Sequence, residues 1–166
     1  MDILETLAEQ VGAVLKSRGL MLASAESCTG GWVGAAVTAI AGSSQWYDRG
    51  FITYTNESKQ EMLGVSAITL AEFGAVSEPT VREMAAGALK HSHAQLALAI
   101  SGIAGPGGAT PGKPVGTVCI AWIMRSGAGR VQTFHFDGDR SAVRQQAVVA
   151  ALRGVLEVIG EDTLLA

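Results

Sequence analysis

The segment Leu96–Ile100 is an unbroken run of apolar residues, and it limits the possible folds more than any other stretch of the chain. Such a run is typical of a strand that is covered on both faces, as in parallel sheets between helical layers. A second short apolar strand is predicted at Leu20–Ala23, followed by a helix from Val33 to Ala41. The pattern therefore predicts an α/β fold, a three-layer α/β/α sandwich with a mostly parallel, mixed central sheet.

The other predicted elements alternate in the same way. Helical periodicity or capping residues indicate four more helices, and β-branched or alternating residues indicate three more strands. The helices are Asp2–Arg18 ending at Gly19, Asn56–Leu63 with Asn56 as N-cap and Gly64 as stop, one that starts at Ser77-Glu78-Pro79, and Ser141–Ile159; the strands are Gly50–Thr55 and the hairpin Val115–Met124 with Arg130–Phe136.

Composition predicts one domain, 1–166, with a core of small aliphatic side chains. The net charge of −3 argues against a nucleic-acid partner, and the absence of a leader or a long apolar run argues against a membrane partner. Two cysteines form no disulfide framework and no metal site, so a cytoplasmic location is expected. The pair Trp46-Tyr47 is compatible with a homo-oligomer, and a buried core explains it equally well.

Two glycine-rich turns follow the two apolar strands. Glu26 to Gly31 would hold the Ser27 hydroxyl at a strand end, beside unpaired amides of the next helix. Ser101 to Gly108 follows Leu96–Ile100, and both turns are expected to face one crevice at the carboxyl ends of the strands. Neither matches a phosphate-binding P-loop or a dinucleotide fingerprint. They position a nucleophile, bind an anion, or serve only as tight turns.

A serine nucleophile needs a base, and the histidines are poor candidates. His91 and His93 fall at a predicted helix end, where a helix dipole favours an exposed imidazole. His135 lies between Phe134 and Phe136 in a strand, so a partly buried structural role is expected for it.

Lys59 is the better candidate base. It lies near the start of the helix predicted from Asn56, where the dipole disfavours a cation, and partial burial would also lower its pKa. Tyr54, five residues upstream, could relay a proton or donate a hydrogen bond. The alternative is an ordinary solvated lysine whose charge is offset by Glu57 and Glu61.

Three further groups have two interpretations each. Cys28 is a rival nucleophile, but it should point away from the side that Ser27 faces and act as a small buried hydrophobe, as should Cys119. Glu26 could pair with Lys59 or orient the turn. The cations of Arg140 and Arg144, one turn apart at a helix start, suit either a phosphate or a salt link to Asp137 or Asp139.

Six segments together resemble the CinA C-terminal domain family. They occur in the order typical of that family and span the chain from its first helix to its last. The segments are Ala25–Gly31, Gly50–Lys59, Gly74–Ser77, Ser101–Pro106, Lys113–Val118 and Gly138–Arg140.

The resemblance implies an amidohydrolase that converts nicotinamide mononucleotide to nicotinic acid mononucleotide and ammonia in pyridine nucleotide recycling, without a cofactor or a metal. It implies the single-domain form, without the N-terminal domain of longer CinA proteins. Ser27, Tyr54 and Lys59 match the family's catalytic serine, tyrosine and lysine. A catalytically silent nucleotide-binding regulatory module of the same family is the alternative, and hydrolysis of a different amide is a third possibility.

The resemblance also implies a substrate-binding set around the two turns. Ser27 would attack the carboxamide carbon while Lys59, helped by Tyr54, takes its proton. Backbone amides around Thr29, Gly30 and Gly31 would stabilise the oxyanion. The loop that contains Gly102, Ala104 and Gly105 would hold the ribose phosphate together with Arg140.

Overall fold

A computed structural model of the chain describes residues 2–165, and the side chains of residues 2–160. Met1 and Ala166, the ends of the predicted domain 1–166, lie outside the described residues. The elements in chain order are α1 (Ile3–Ser17), β1 (Leu22–Glu26), α2 (Trp32–Thr38), a 3₁₀ turn (Ser43–Gln45), β2 (Tyr47–Ile52), α3 (Asn56–Leu63), α4 (Ala67–Phe73), α5 (Glu78–Lys90), β3 (Leu96–Gly102), β4 (Thr117–Met124), β5 (Gly129–His135) and α6 (Arg140–Leu165).

The sheet confirms the predicted mixed, mostly parallel arrangement. Within the described residues it has five strands in the order β2-β1-β3-β4-β5. β1 is parallel to both β2 and β3, whereas β4 is antiparallel to β3 and to β5, so β4 alone of these five runs against the others. The central strands β1 and β3 are buried along almost their whole length, as the apolar run of β3 predicts.

Helices cover both faces of the sheet and complete the three predicted layers. α1, α2 and α6 pack together on one face, over a core that includes Leu98, Ile100 and Trp122. α5 packs on the other face over Ala97 and Ala99, with α3 and α4 packed against it. Side chains alternate along a strand, so even-numbered residues of β1 and β3 face the first helical layer and odd-numbered residues face the second.

Most predicted elements are confirmed with shifted ends. β1 begins two residues later than predicted and continues to Glu26, and β2 runs over Tyr47–Ile52 rather than Gly50–Thr55. α2 ends at Thr38, short of Ala41, and α6 begins at Arg140. The N-cap of α3 is Thr55 rather than Asn56, because the Thr55 side chain accepts from the Ser58 amide in a capping box.

Trp46 belongs to the core rather than to a surface patch. It is 3% exposed, packs in the layer with α1, and lies so close to Gly12 that a methyl group there would overlap its indole ring. The pair Trp46-Tyr47 is therefore accounted for by the fold of one chain. No helix among the described residues has the length and apolar character required to cross a bilayer.

Candidate active site

Two adjacent cavities open at the carboxyl ends of β1 and β3, where the predicted crevice was expected. The first has a volume of about 240 Å³ and is lined by Ser27, Lys59 and Ser101 among others. The second has a volume of about 560 Å³ and lies over the start of α6. Ala104 and Arg140 line both cavities, so the two are continuous at these residues.

Ser27 is the first residue after β1. Its amide donates to the carbonyl of Ile100 at 3.0 Å, which fixes the end of β1 against β3. The residue is 7% exposed, and its Oγ lies 3.0 Å from the Nζ of Lys59 and 3.4 Å from the carbonyl oxygen of Tyr54. The hydroxyl is thus held at the wall of the first cavity, next to an amine.

The Lys59 side chain extends from the first turn of α3 into the protein and is 1% exposed. Besides Ser27, its Nζ contacts the carbonyl oxygens of Thr53 at 3.0 Å and Tyr54 at 3.2 Å. No carboxylate forms an ion pair with it in the described part of the chain. Burial lowers the pKa of Lys59 below its ordinary value. The solvated lysine, the alternative interpretation of this residue, is therefore wrong.

Tyr54 contributes to this cluster through its backbone. The side chain is 59% exposed, and its hydroxyl accepts a hydrogen bond from Arg140 Nη2 at 3.1 Å. Of the Tyr54 atoms, it is the carbonyl oxygen that bonds Lys59 and Ser27. The hydroxyl is therefore bonded at the junction of the two cavities rather than between the serine and the lysine.

Glu26 orients the turn and does not pair with Lys59. Its carboxylate is 2% exposed and accepts from the Thr29 hydroxyl at 2.6 Å. It also accepts from the amides of Gly31, Val33 and Gly34 at 3.0–3.2 Å. A carboxylate at this position satisfies the unpaired amides at the start of α2 and complements the helix dipole.

The turn at Gly30 and Gly31 requires glycine, because both residues have positive φ angles of 59° and 105°. The Gly30 amide donates to the Ser27 carbonyl at 3.1 Å, and the Gly31 amide donates to Glu26. Thr29, Gly30 and Gly31 are not part of the wall of the first cavity, as far as the described residues form it. The amides of the two glycines are thus bonded within the turn. They are therefore not free to donate into the cavity, as an oxyanion site would require.

Arg144 also holds the turn, through its backbone carbonyls. Its Nε donates to the Cys28 carbonyl at 2.9 Å and its Nη2 to the Thr29 carbonyl at 3.2 Å, with the guanidinium 5.5 Å from the centre of the Trp32 ring. The salt link to Asp137 or Asp139, one of the two alternatives for these arginines, is absent among the described ion pairs. The guanidinium instead joins α6 to the turn that follows Ser27.

Arg140 lies between the two cavities at the first residue of α6. Its Nη1 donates to the Gly105 carbonyl at 2.8 Å, which fixes the guanidinium against the second glycine loop. Gly102 lines the first cavity and Gly105 the second. A Cβ at Gly102 would lie 2.6 Å from the Val118 side chain, so close packing explains the glycine there.

The remaining candidates lie away from this chemistry or are unreactive. Cys28 borders the first cavity, but it packs in the core on the α2 side, and burial raises the pKa of its thiol to about 11, so the thiolate is disfavoured. Cys119 is also a buried free thiol. None of the three histidines lines either cavity. His135 is exposed rather than partly buried, because β5 is an edge strand.

Sequence reasoning missed Ser101 and the loop residues Ala75 and Val76, all of which line the first cavity. Ala75 and Val76 come from the connection between α4 and α5, and α4 itself was not predicted. Ser101 had a detectable signal, since it directly follows the second apolar run, Leu96–Ile100, at the start of a glycine-rich turn, as Ser27 lies in the turn after the first. No group of three potential metal-ligating side chains occurs within the described residues.

Comparison with known proteins places the relatives of this chain in one family. The family model described as the CinA C-terminal domain matches residues 4–159. The nicotinamide-nucleotide amidohydrolase PncC of Escherichia coli K12 is 54% identical over 157 residues, which cover 95% of this chain and 95% of that protein. The protein of the same name from Pseudomonas putida is 45% identical over 95% of this chain and 98% of its own length.

The solved structures agree with the sequence relatives. The crystal structure of the competence/damage inducible protein CihA from Agrobacterium tumefaciens superposes with a TM-score of 0.92 at 45% identity. The match covers 95% of this chain and 96% of that one. The architecture described above is thus shared with an experimentally determined relative over nearly the full length of both chains.

Proposed function

The chain belongs to the CinA C-terminal domain family, and we propose that it hydrolyses nicotinamide mononucleotide to nicotinic acid mononucleotide and ammonia. Relatives that are 45–54% identical over most of this chain carry the name nicotinamide-nucleotide amidohydrolase. The reaction serves pyridine nucleotide recycling and runs within one domain, 1–166. A cytoplasmic location fits the two cysteines, which are free thiols.

The partners of the Lys59 amine carry this proposal. An uncharged amine has two hydrogens and one lone pair, whereas an ammonium has three hydrogens. The carbonyl oxygens of Thr53 and Tyr54 can only accept, so they take the two hydrogens of the neutral amine. The lone pair is then left for the third partner, Ser27, 3.0 Å away. Such an amine can remove the hydroxyl proton.

The reaction follows from this arrangement in two halves. Ser27 Oγ attacks the carboxamide carbon while its proton moves to Lys59 Nζ, and an oxyanion forms. The oxyanion collapses, the carbon–nitrogen bond breaks, and the Lys59 ammonium gives its proton to the departing nitrogen, which leaves as ammonia. Water then attacks the acyl-enzyme and gives a proton to Lys59, which returns it to Ser27 Oγ as the acid leaves.

The second cavity suits the rest of the nucleotide. Its wall is formed by the start of α6 and by Arg140, which provides a cation and a helix N-terminus for an anionic group. Arg140 also borders the first cavity, so one molecule could present its carboxamide to Ser27 and its phosphate to Arg140. Tyr54, bonded to Arg140, would adjust that guanidinium rather than relay the proton.

The test is ammonia release from nicotinamide mononucleotide by the purified protein. The wild type should release ammonia, and Ser27→Ala should release none while still binding the nucleotide in calorimetry. Cys28→Ala should keep its turnover, because the rival nucleophile is a buried thiol. If the wild type bound the nucleotide and released no ammonia, the silent regulatory module would replace the amidase, and release from another amide only would change the substrate.

A further inference from the structure

The glycine amides of the turn after Ser27 do not supply the hydrogen-bond donor that the first cavity needs. Amide hydrolysis places a negative charge on the carbonyl oxygen, and positioned donors stabilise that charge. The amides of Gly30 and Gly31 are bonded inside the turn. In the neutral amine proposed for Lys59, the carbonyls of Thr53 and Tyr54 take the two hydrogens. The Ser101 hydroxyl, on another wall of the cavity, is a further candidate donor.

Ser101 lies beside Ser27 across the parallel pair of β1 and β3. The last paired residues of the two strands are Glu26 and Ile100, and the Ser27 amide donates to the Ile100 carbonyl. Ser27 directly follows Glu26, and Ser101 directly follows Ile100. In parallel strands such neighbours project from the same face of the sheet. Both serines line the first cavity, on the side where Lys59 enters.

Ser101 is a buried residue whose hydroxyl faces the first cavity and forms no hydrogen bond to another residue in the part of the chain that the structure describes. The residue is 1% exposed. A hydroxyl at such a position loses free energy through desolvation unless a group that enters the cavity bonds it, whereas an apolar side chain of the same size would not. The neighbouring odd-numbered residues of β3, Ala97 and Ala99, are apolar, as packing against α5 requires. The hydroxyl therefore has a use other than packing.

We propose that the Ser101 hydroxyl donates a hydrogen bond to the carboxamide oxygen of the substrate and stabilises the oxyanion that forms there. This inference rests on the proposed amidase function. No proton leaves Ser101: its O–H bond stays intact, and the hydrogen bond strengthens as the carbonyl oxygen gains charge. Ser101 touches the reacting atoms and is in this sense a catalytic residue, alongside Ser27 and Lys59.

The test compares Ser101→Ala with a matched control. Removal of one oxyanion donor lowers kcat by about 100- to 1,000-fold in other hydrolases, so that loss is expected for Ser101→Ala with nicotinamide mononucleotide, while KM changes little. Ser24→Ala is the control, because Ser24 is a buried serine of β1 whose hydroxyl bonds Tyr47 and lines neither cavity. Ser24→Ala should keep its kcat.

Two additional measurements separate catalysis from folding. Ser101→Cys has nearly the size of serine but only a weak S–H donor, so it should fold and show a loss of kcat similar to that of Ser101→Ala. Both variants should keep the dependence of kcat/KM on pH that Lys59 imposes on the wild type, because the base is unchanged. Circular dichroism and thermal melts check that each variant is folded.

The outcomes distinguish the two proposals. A kcat for folded Ser101→Ala or Ser101→Cys close to that of the wild type would overturn the role of Ser101 and leave the amidase intact. A rise in KM without a change in kcat would also overturn it, as would a loss of kcat in Ser24→Ala equal to that in Ser101→Ala. Absence of ammonia from the wild type would instead remove the proposed function itself. A large loss of kcat confined to the two Ser101 variants supports the donor.

Discussion

At the scale of single residues, the chemistry depends on the charge of Lys59. Its Nζ has two backbone carbonyls and one hydroxyl as partners, and it lies 1% exposed in the protein. An ammonium in this place would be a buried cation without a carboxylate to balance it, which is costly. The surroundings therefore favour the amine, and the same burial that lowers the pKa of Lys59 suits it to the proposed role of base.

The rate should rise with pH through the lowered pKa of Lys59. Only the amine form accepts the Ser27 proton, so kcat/KM increases as the lysine loses its proton and levels off above that pKa, which lies below the ordinary value of 10.5. Lys59→Arg keeps a cation that does not deprotonate, and it should lose about 100- to 10,000-fold in turnover. The measurement is kcat/KM for nicotinamide mononucleotide across the stable pH range.

The control for this prediction is an exposed lysine. Lys90→Met removes a charge at the end of α5, outside both cavities, and should leave the rising limb in place. A profile for the wild type without a rising limb, or a Lys59→Arg variant with normal turnover, would mean that the lysine is not the base.

Some of these residue roles could be predicted and others could not. Ser27 and Lys59 were accessible from the sequence because strand ends, helix starts and glycine turns leave local signals. Arg144 was not, because its contacts are with backbone carbonyls of Cys28 and Thr29, 115–116 residues earlier in the chain. A side chain that binds distant backbone leaves no periodic pattern in the sequence.

At the scale of elements, α6 and the sheet approach each other closely at one point. The Trp122 indole of β4 donates to the Ala151 carbonyl of α6 at 2.8 Å. The ring lies directly against Gly154, where a Cβ would overlap with its atoms. The glycine therefore permits a close helix–sheet contact that any larger residue would push apart, and α6 carries Arg140 and Arg144 at its start.

Gly154→Ala should destabilise the protein because the methyl group meets the Trp122 ring. Overpacking of this kind costs about 1–3 kcal/mol in the free energy of unfolding. Gly160→Ala in the same helix is the matched control: among the described residues, no atom outside the adjoining helix backbone lies within 4 Å of its Cβ position, and alanine favours a helix over glycine by about 1 kcal/mol. Urea denaturation should move the two midpoints in opposite directions. Equal shifts would contradict the close contact.

The element boundaries show where sequence patterns are insufficient. Polar Ser24 and Glu26 belong to a buried strand because Tyr47 and the start of α2 satisfy them, a partnership that sequence periodicity does not encode. α4 escaped prediction because its apolar residues do not form a buried stripe: Ile68 is 75% and Phe73 is 44% exposed. By contrast, α5 and β3 have regular patterns, and both were predicted.

At the scale of the whole molecule, the candidate site joins all three layers. Ser27 and Ser101 come from the sheet, Lys59 from the layer that contains α3, and Arg140 from α6 on the other face. The hydrogen bond between Arg140 and the Tyr54 hydroxyl already connects the two sides. A nucleotide with its carboxamide at Ser27 and its phosphate at Arg140 would add contacts to every layer, so its binding should raise the stability of the entire fold.

Nicotinamide mononucleotide should therefore raise the melting temperature of Ser27→Ala, the variant in which it is not consumed. A ligand at 100 times its Kd adds about 2.7 kcal/mol, or roughly 5–10 °C for a chain of this size. Nicotinamide riboside, which lacks the phosphate, should give a smaller shift at the same concentration.

In Ser27→Ala/Arg140→Ala the two ligands should give equal shifts of the melting temperature. Arg153 is an exposed arginine of α6 outside both cavities, so Arg153→Ala in the Ser27→Ala background should preserve the difference. Equal shifts by both ligands with Arg140 intact would mean that the phosphate makes no contact there, because a lost ionic contact has to appear as lost ligand stabilisation.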